Sequence, residues 1–289
     1  MGAPPMALRV APALSRRTFL RSLALGSVGA GTLAYSRWLE SDWLELTRQQ
    51  VAFFPTPPNR PFRLLLMSDF HFSSVVPLDL IARAIDLGLA EKPDLALLAG
   101  DFITGHLYQP DHYRAVLQRL SDEVACLCCL GNHDGNVHQT TQKPRTGRLR
   151  RFLSDCLLPL LHNDHLEWKH EEQAFEIIGL GDLWSGQCLP EKAFPTSDRG
   201  LPRLVLAHNP DSKSLLEKHR WNLMTCGHSH GGQCRLPLLG APFAPIADKT
   251  YTSGLNPWRD RMIYTTRGVG NLHGLRFNCR PEVTILDLV

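Results

Sequence analysis

Four short apolar runs set the rhythm of this chain: Leu64-Leu65-Leu66-Met67, Leu95-Ala96-Leu97-Leu98-Ala99, Val124 to Leu130, and Leu204-Val205-Leu206-Ala207. Each reads as a buried strand. Between the first two, Leu80, Ile81, Ala84, Ile85 and Leu87 recur at helical spacing over Leu78 to Ala90, and Lys92-Pro93-Asp94 ends the segment before the next strand. This is a βαβ unit, and it repeats: Tyr113 to Leu120 gives a second short helix before a Cys-rich strand. Arg145 to Leu161 reads as a third helix, with Phe152-Leu153 and Leu157-Leu158 on one side and Arg145, Arg148, Arg150 and Arg151 on a solvated face.

From Leu166 onward the pattern turns β-rich, with runs at Leu166 to Lys169, Phe175 to Gly179, Leu204 to Ala207, Leu223 to Cys226, Met262 to Thr265 and Val283 to Leu288. Ser212 to Lys218 supplies one helix among them. Trp43 to Phe54 reads as an opening edge strand, closed by a Pro-rich breaker. An α/β first half and a strand-rich second half predict two sheets packed face to face with helices outside.

Composition adds one body and one leader. At 289 residues and 43% apolar content the chain buries one core, a domain over 43–289. The formal charge of +3 is uneven, because Arg9, Arg16, Arg17 and Arg21 fall in the first 35 residues, which hold no acidic side chain. The remainder has 27 basic against 28 acidic side chains, which argues against a nucleic-acid-binding body. Ser15-Arg16-Arg17-Thr18-Phe19-Leu20-Arg21, followed by an uncharged stretch from Ser22 to Tyr35, resembles a twin-arginine export signal. Residues 1–37 are therefore expected to be a signal read by the twin-arginine machinery, or a membrane anchor. No clean Ala-x-Ala stands between Gly29 and Trp38, yet the uncharged stretch is shorter than the roughly 20 residues that span a bilayer, so both outcomes stay open. The expected address is the periplasm or the outer face of the cytoplasmic membrane. The eight cysteines form no paired Cys-x2-Cys units and read as core filler, Cys226 and Cys234 included.

The candidate chemistry sits directly after the strands. Asp69-Phe70-His71, Gly100-Asp101, Gly131-Asn132-His133-Asp134, Ala207-His208-Asn209 and Gly227-His228-Ser229-His230 supply carboxylate, amide and imidazole ligands, enough for two adjacent divalent metal ions. Oxygen and nitrogen donors without thiolate suit Mn, Fe or Zn, Mn foremost. Asp-x-His brings its two side chains together only if the backbone turns just after the strand. Asp101 is the natural bridge, since one carboxylate can span two ions about 3.5 to 4 Å apart. Asn132 suggests a metal, because a neutral amide serves where carboxylates already balance the charge. His133 is better used as an acid over the substrate, with Asp134 orienting its imidazole. His228 and His230 point roughly the same way from an extended segment, and His208 adds a third nitrogen.

This ordered set resembles the calcineurin-like metallophosphoesterases, whose pattern is D-x-H, G-D, G-N-H-[DE], H and G-H-x-H. The match runs from about Leu64 to Gln233. The leader, Asn209-Pro210-Asp211, Gly231-Gly232-Gln233, Tyr251-x-x-Gly254 and Leu275-Arg276-Phe277-Asn278-Cys279-Arg280-Pro281-Glu282 resemble an exported bacterial branch of that family. The resemblance implies a four-layer α/β/β/α sandwich of two mixed sheets. It implies one ion on Asp69, His71, Asp101 and His230, another on Asp101, Asn132, His208 and His228, and His133 as the acid near the leaving group.

The function expected is hydrolysis of a phosphodiester by in-line attack of a hydroxide bridging the two ions, in a protein that associates with the membrane if the leader stays. Two rivals stand beside it: a pyrophosphatase acting on a nucleotide-diphosphate lipid, and an exported metal-binding protein without catalysis. Leu236 to Ile246 bears on the first rival. It is proline-rich and follows the last ligands, and it reads either as an apolar lip for a lipid-linked substrate or as a buried crossover.

Overall fold

A computed structural model describes residues 15–137 and 145–289; the first 14 residues, Arg9 among them, lie outside the described residues. The chain enters through α1 (Arg16–Ala34) and β1 (Glu45–Val51), then alternates β2 (Phe62–Met67), α2 (Leu78–Leu89), β3 (Leu95–Ala99), α3 (Pro110–Glu123), β4 (Cys126–Cys129) and α4 (Gly147–Asp155). The strand-rich half follows with β5 (Asp164–His170), β6 (Gln173–Gly179), the one-turn α5 (Pro190–Ala193), β7 (Arg203–Leu206), β8 (Leu223–Cys226), β9 (Gly254–Trp258), β10 (Arg261–Thr265) and β11 (Glu282–Leu288).

Two mixed sheets result, in the orders β1-β11-β2-β3-β4 and β5-β6-β7-β8-β10-β9. In the first, β2, β3 and β4 run parallel, because α2 and α3 are the crossovers between them, while β11 returns antiparallel to β2. In the second, β6, β7, β8 and β10 run parallel and β5 and β9 close the edges antiparallel.

Strand alternation divides the core into layers. Leu64, Leu66, Leu95 and Leu97 face Phe175, Ile177, Leu204, Leu206 and Tyr264 between the sheets. Leu65, Met67, Ala96 and Leu98 take the opposite face and pack under Leu80, Ile81, Ala84 and Ile85 of α2 and Tyr113, Leu117 and Leu120 of α3. Each fully buried leucine contributes roughly 1.5 to 3 kcal/mol. Ile178, Val205, Met224 and Ile263 line the outer face of the second sheet, covered by Leu216, Trp221 and Tyr251. That fourth layer is made of α5 and 3₁₀ turns rather than long helices.

Two local readings shift, and one strand had no reading. The helix expected at Ser212 to Lys218 is a 3₁₀ segment, Pro210–Leu216, started by the Asn209 side chain accepting from the Asp211 amide at 2.8 Å. The third helix stops at Asp155 instead of reaching Leu161, because Leu157 turns into the left-handed region at φ 55° and Pro159 follows. β9 was not legible, since it contains Pro257; it is an edge strand, the one place in a sheet where proline is readily accommodated. All eight cysteines are free, and all but Cys234 are buried, as filler is.

Up to Leu33 the described residues of α1 are exposed, and among the described residues no helix is long and apolar enough to cross a membrane. The body reaches back further than the breaker pattern suggests. Ser36, Glu40 and Ser41, upstream of β1, are already buried.

Candidate metal centre

The carboxyl ends of β2, β3 and β4 from one sheet, and of β7 and β8 from the other, meet along one rim. The loops that leave them are laced together by backbone hydrogen bonds: Asp69 N–H to Gly100 O at 2.9 Å, His71 N–H to Asp101 O at 3.0 Å, and Gly227 N–H to His208 O at 3.0 Å. Asp69, His71, Asp101, His228 and His230 all have left-handed backbone, with φ of 54°, 46°, 55°, 66° and 50°. No L-residue adopts that region cheaply, and such outliers concentrate where a site over-determines them. At Asp69 and His71 the turn is what brings the side chains of Asp-x-His to one place. Gly131 and Gly227 leave the necessary gaps: a Cβ on Gly131 would lie 2.1 Å from Asp101 Oδ1, and one on Gly227 2.4 Å from Asp69 Oδ2.

Two clusters form. Asp69, His71 and His230 each offer one ligand atom, all within 4.8 Å of one another, and Asp101, His208 and His228 do the same. All six residues are buried. Asp101 touches both groups, its Oδ2 lying 3.1 Å from His208 Nε2 and 3.5 Å from His71 Nε2.

The second cluster shows what it is built to hold. His208 Nδ1 lies 2.7 Å from Ala99 O and His228 Nε2 lies 3.0 Å from Pro245 O. Carbonyls only accept, so both outer nitrogens carry the hydrogens. With both rings neutral, the inner nitrogens, His208 Nε2 and His228 Nδ1, turn lone pairs toward each other at 3.1 Å and toward the Asp101 carboxylate. Converging acceptors require a cation. Asn132, in the loop after β4, also holds an open acceptor: its amide donates to Val137 O at 2.9 Å, which fixes the flip and leaves Oδ1 buried with no hydrogen bond among the described residues. In the first cluster His71 Nε2 and His230 Nε2 face each other at 3.1 Å, with Asp69 Oδ1 3.4 Å from His230 Nε2. The donor set therefore fits divalent metal ions.

The electrostatics carry the same demand. Burial pushes His71 and His228 down to about 3 and Asp69 up to about 6. For His208 and Asp101, burial opposes ionisation and their mutual attraction overrides it, raising the imidazole to about 10 and holding the carboxylate well below its usual range. In the protein alone, a proton on His208 stands where a metal's charge would act.

His133 lies outside the clusters, on the wall of a cleft of about 410 Å³ that opens over Asp101, His228 and His230. Its backbone N–H donates to Asp101 Oδ1 at 2.8 Å, and its ring lies edge-on to His71 at 4.9 Å. Asp134 has a different place from the one expected. Its carboxylate accepts from the amides of Asp101 and Gly131, each at 2.9 Å, and Ile103 at 3.2 Å, so it ties together the loops after β3 and β4 rather than orienting the His133 imidazole. Burial raises it to about 8, with the Asp101 charge adding to the shift and the Gly131 and Ile103 amides opposing it.

Two further residues come to the site unannounced. Asp182 and Trp184 follow β6. Asp182 is buried, one oxygen accepting from the Ser185 amide at 2.7 Å and Oδ1 left without a partner, while Trp184 stands edge-on to His228 at 4.6 Å. The signal was there to read, since Gly181-Asp182 after an apolar run repeats the Gly100-Asp101 arrangement.

The profile of the calcineurin-like phosphoesterase family matches residues 62–232. The chain is 45% identical over 277 residues to phosphodiesterase YaeI of Escherichia coli (strain K12), covering 96% of this chain and 100% of that protein. It is 30% identical over 288 residues to the uncharacterized metallophosphoesterase YkuE of Bacillus subtilis (strain 168), covering 95% and 98%. With UDP-2,3-diacylglucosamine pyrophosphatase LpxG of Chlamydia trachomatis serovar D it shares 26% identity over 272 residues, covering 78% and 82%.

Because Asp101 touches both clusters, Asp101→Asn is expected to lower the divalent-metal content of both and to reduce turnover by about 100-fold or more, beyond any change confined to one cluster. Metal analysis of the purified variant checks this. Two tightly held ions with near-normal turnover would remove Asp101 from the bridge.

Proposed function

This chain belongs to the calcineurin-like phosphoesterase family, and on that premise we propose that it is a phosphodiesterase working with two divalent metal ions, exported by the twin-arginine route. Its coarser activity, hydrolysis of phosphoric esters, goes with the family. The observation that carries the finer reading is the Asp101 carboxylate lying against histidines of both clusters, with the His208 and His228 lone pairs turned inward.

In this reading Asp69, His71, Asp101 and His230 hold one ion and Asp101, Asn132, His208 and His228 hold the other. When bound, two such ions supply Lewis-acid charge to the phosphoryl oxygens and lower the pKa of an attacking water. The rest is done by side chains. His133, on the cleft wall and outside both clusters, delivers a proton from its imidazole to the departing alkoxide oxygen. Asp134 keeps the loops of Asp101 and Asn132 in register through its three amide contacts. Trp184 and Pro245 wall the cleft with apolar surface, which strengthens every charge interaction inside. A storage protein would have no use for His133 over the opening. Manganese is the ion we assign, on a donor set of carboxylate, amide and imidazole without thiolate.

A lipid-bearing phosphodiester or nucleotide-diphosphate lipid is the second reading, favoured by one observation. In the loop from Leu236 to Ile246, Leu238, Leu239 and Phe243 are fully or largely exposed, while Pro245 lines the cleft and Ile246 is buried. That is the arrangement of a lip. LpxG, whose name gives it such a substrate, is the relative that agrees. The address we propose is the periplasm or the outer face of the cytoplasmic membrane, supported by Ser15-Arg16-Arg17-Thr18-Phe19-Leu20-Arg21, in which Ser15 caps α1 and both arginines are exposed.

Three outcomes are expected. His133→Ala leaves metal content unchanged and lowers kcat by roughly 100-fold for diesters with poor alkoxide leaving groups, with much less loss on an activated nitrophenolate; equal losses on both would take His133 out of the acid role. Changing Arg16 and Arg17 together to Lys leaves a folded, active enzyme in the cytoplasm, read by fractionation, and unchanged export would overturn the leader assignment. Leu238→Ser, Leu239→Ser or Phe243→Ser raises KM for acylated phosphodiesters by about 5- to 100-fold while sparing a small soluble diester, since each lost contact removes roughly 1 to 3 kcal/mol that only an acyl chain uses. Equal effects on both substrates would leave the loop without a lipid role.

A further inference from the structure

The junction between the leader helix and the body is built into the rim of the cleft. After α1 the backbone makes a π turn at Tyr35–Leu39 and a 3₁₀ turn at Glu40–Asp42. Ser36 and Glu40 are only 4% and 1% exposed there, with no hydrophobic run to bury them. Their partners come from one loop, residues 270–280. The Arg276 amide donates to Ser36 O at 3.0 Å, Arg37 Nη1 donates to Gly274 O at 2.8 Å, and the Cys279 amide donates to the Glu40 carboxylate. Asp42 and Trp43 extend the grip, Asp42 pairing with Arg83 of α2 at 2.5 Å and Trp43 lying under the Arg280 guanidinium at 4.2 Å.

That same loop makes the site. Leu272 and His273 line the cleft. The Arg276 side chain, wholly buried, donates to the carbonyls of Gly268 at 3.0 Å and Gly270 at 2.5 Å, and the Gly270 amide donates to Asp69 O at 2.7 Å. The loop is held by leader residues on one side and holds the backbone of the first metal cluster on the other. A carboxylate is buried at such a cost only where its hydrogen bonds are needed, and its removal leaves the Cys279 amide unpaired.

We propose that Arg37 and Glu40 are positioning residues for the cleft, and that Ser36–Asp42 stays in the working enzyme, so that any cut of the leader falls before Ser36. The inference rests on reading the cleft as the active site. Two arms test it on the full exported chain. Sequencing the amino terminus and weighing the intact exported protein is expected to find Ser36–Asp42 present; an active mature chain that begins after Asp42 would overturn the proposal.

In the second arm, Arg37→Ala and Glu40→Ala raise KM for a small diester by about ten-fold, keep kcat within about two-fold, leave metal content unchanged, and speed amide exchange across 270–280. Glu40→Gln, which keeps an oxygen for the Cys279 amide, restores the native values. Unchanged KM and exchange in the alanine variants would defeat the positioning role. If Glu40→Ala does not fold, Arg37→Ala, at an exposed side chain, still decides the matter. A native enzyme that binds metal but turns over no diester would refute the function assigned to the cleft, while exchange and the terminal sequence would still test the strap.

Discussion

The imidazoles of His208 and His228 and the carboxylate of Asp101 converge on one point in a closed rim, and only a positive charge there, a proton on His208 or a metal ion, keeps their acceptors from repelling one another. Left alone, such groups would part or take up water. They are kept together by features that make little sense singly: left-handed backbone at five ligand candidates, glycines where any Cβ would strike a carboxylate, and a buried Asp134 spent entirely on backbone amides. Each costs stability when taken alone. A cation between the acceptors reverses the sign of the interaction, so the strain of the loops and the affinity for metal are two sides of one arrangement.

Neither cluster belongs to one sheet. Asp69 and His71 follow β2, and their companion His230 follows β8; Asp101 follows β3, and His208 and His228 follow β7 and β8. The spacing of the two candidate sites is therefore set by how the sheets pack, through the aromatic and leucine layer around Phe175 and Leu66. Ions bound across that seam act as cross-links between the halves of the sandwich, and part of their binding free energy becomes folding free energy.

The strands and most of the ligands were legible because each ligand cluster directly follows a run apolar on both faces, a pattern local in sequence. The family resemblance rested on those residues and holds over the body. What failed to show was whatever depends on closure in space. Asp134 adjoins His133 in sequence and suggested an imidazole partner, but its position where the loops after β3 and β4 meet gives its oxygens to three amides instead. Asp182, like Asp101, follows a glycine after an apolar run, but its place beside the clusters comes from β6 lying next to β7 in the sheet. β9 was hidden by Pro257, and Glu40, between the leader at 1–37 and the body at 43–289, gave no sign of being buried by a loop 239 residues away.

The eight unpaired thiols bear on the export proposed above. Burial pushes Cys126 and Cys156 up to about 12 and Cys128, Cys129 and Cys226 well above their ordinary value. At neutral pH a thiol at 12 is ionised in about one molecule in 100,000, and only the thiolate attacks a disulfide. A chain that folds first and is exported afterwards would carry these sulfurs past oxidants in a form that cannot react. For those five thiols the protection would be kinetic, because packing between and under the sheets disfavours the thiolate.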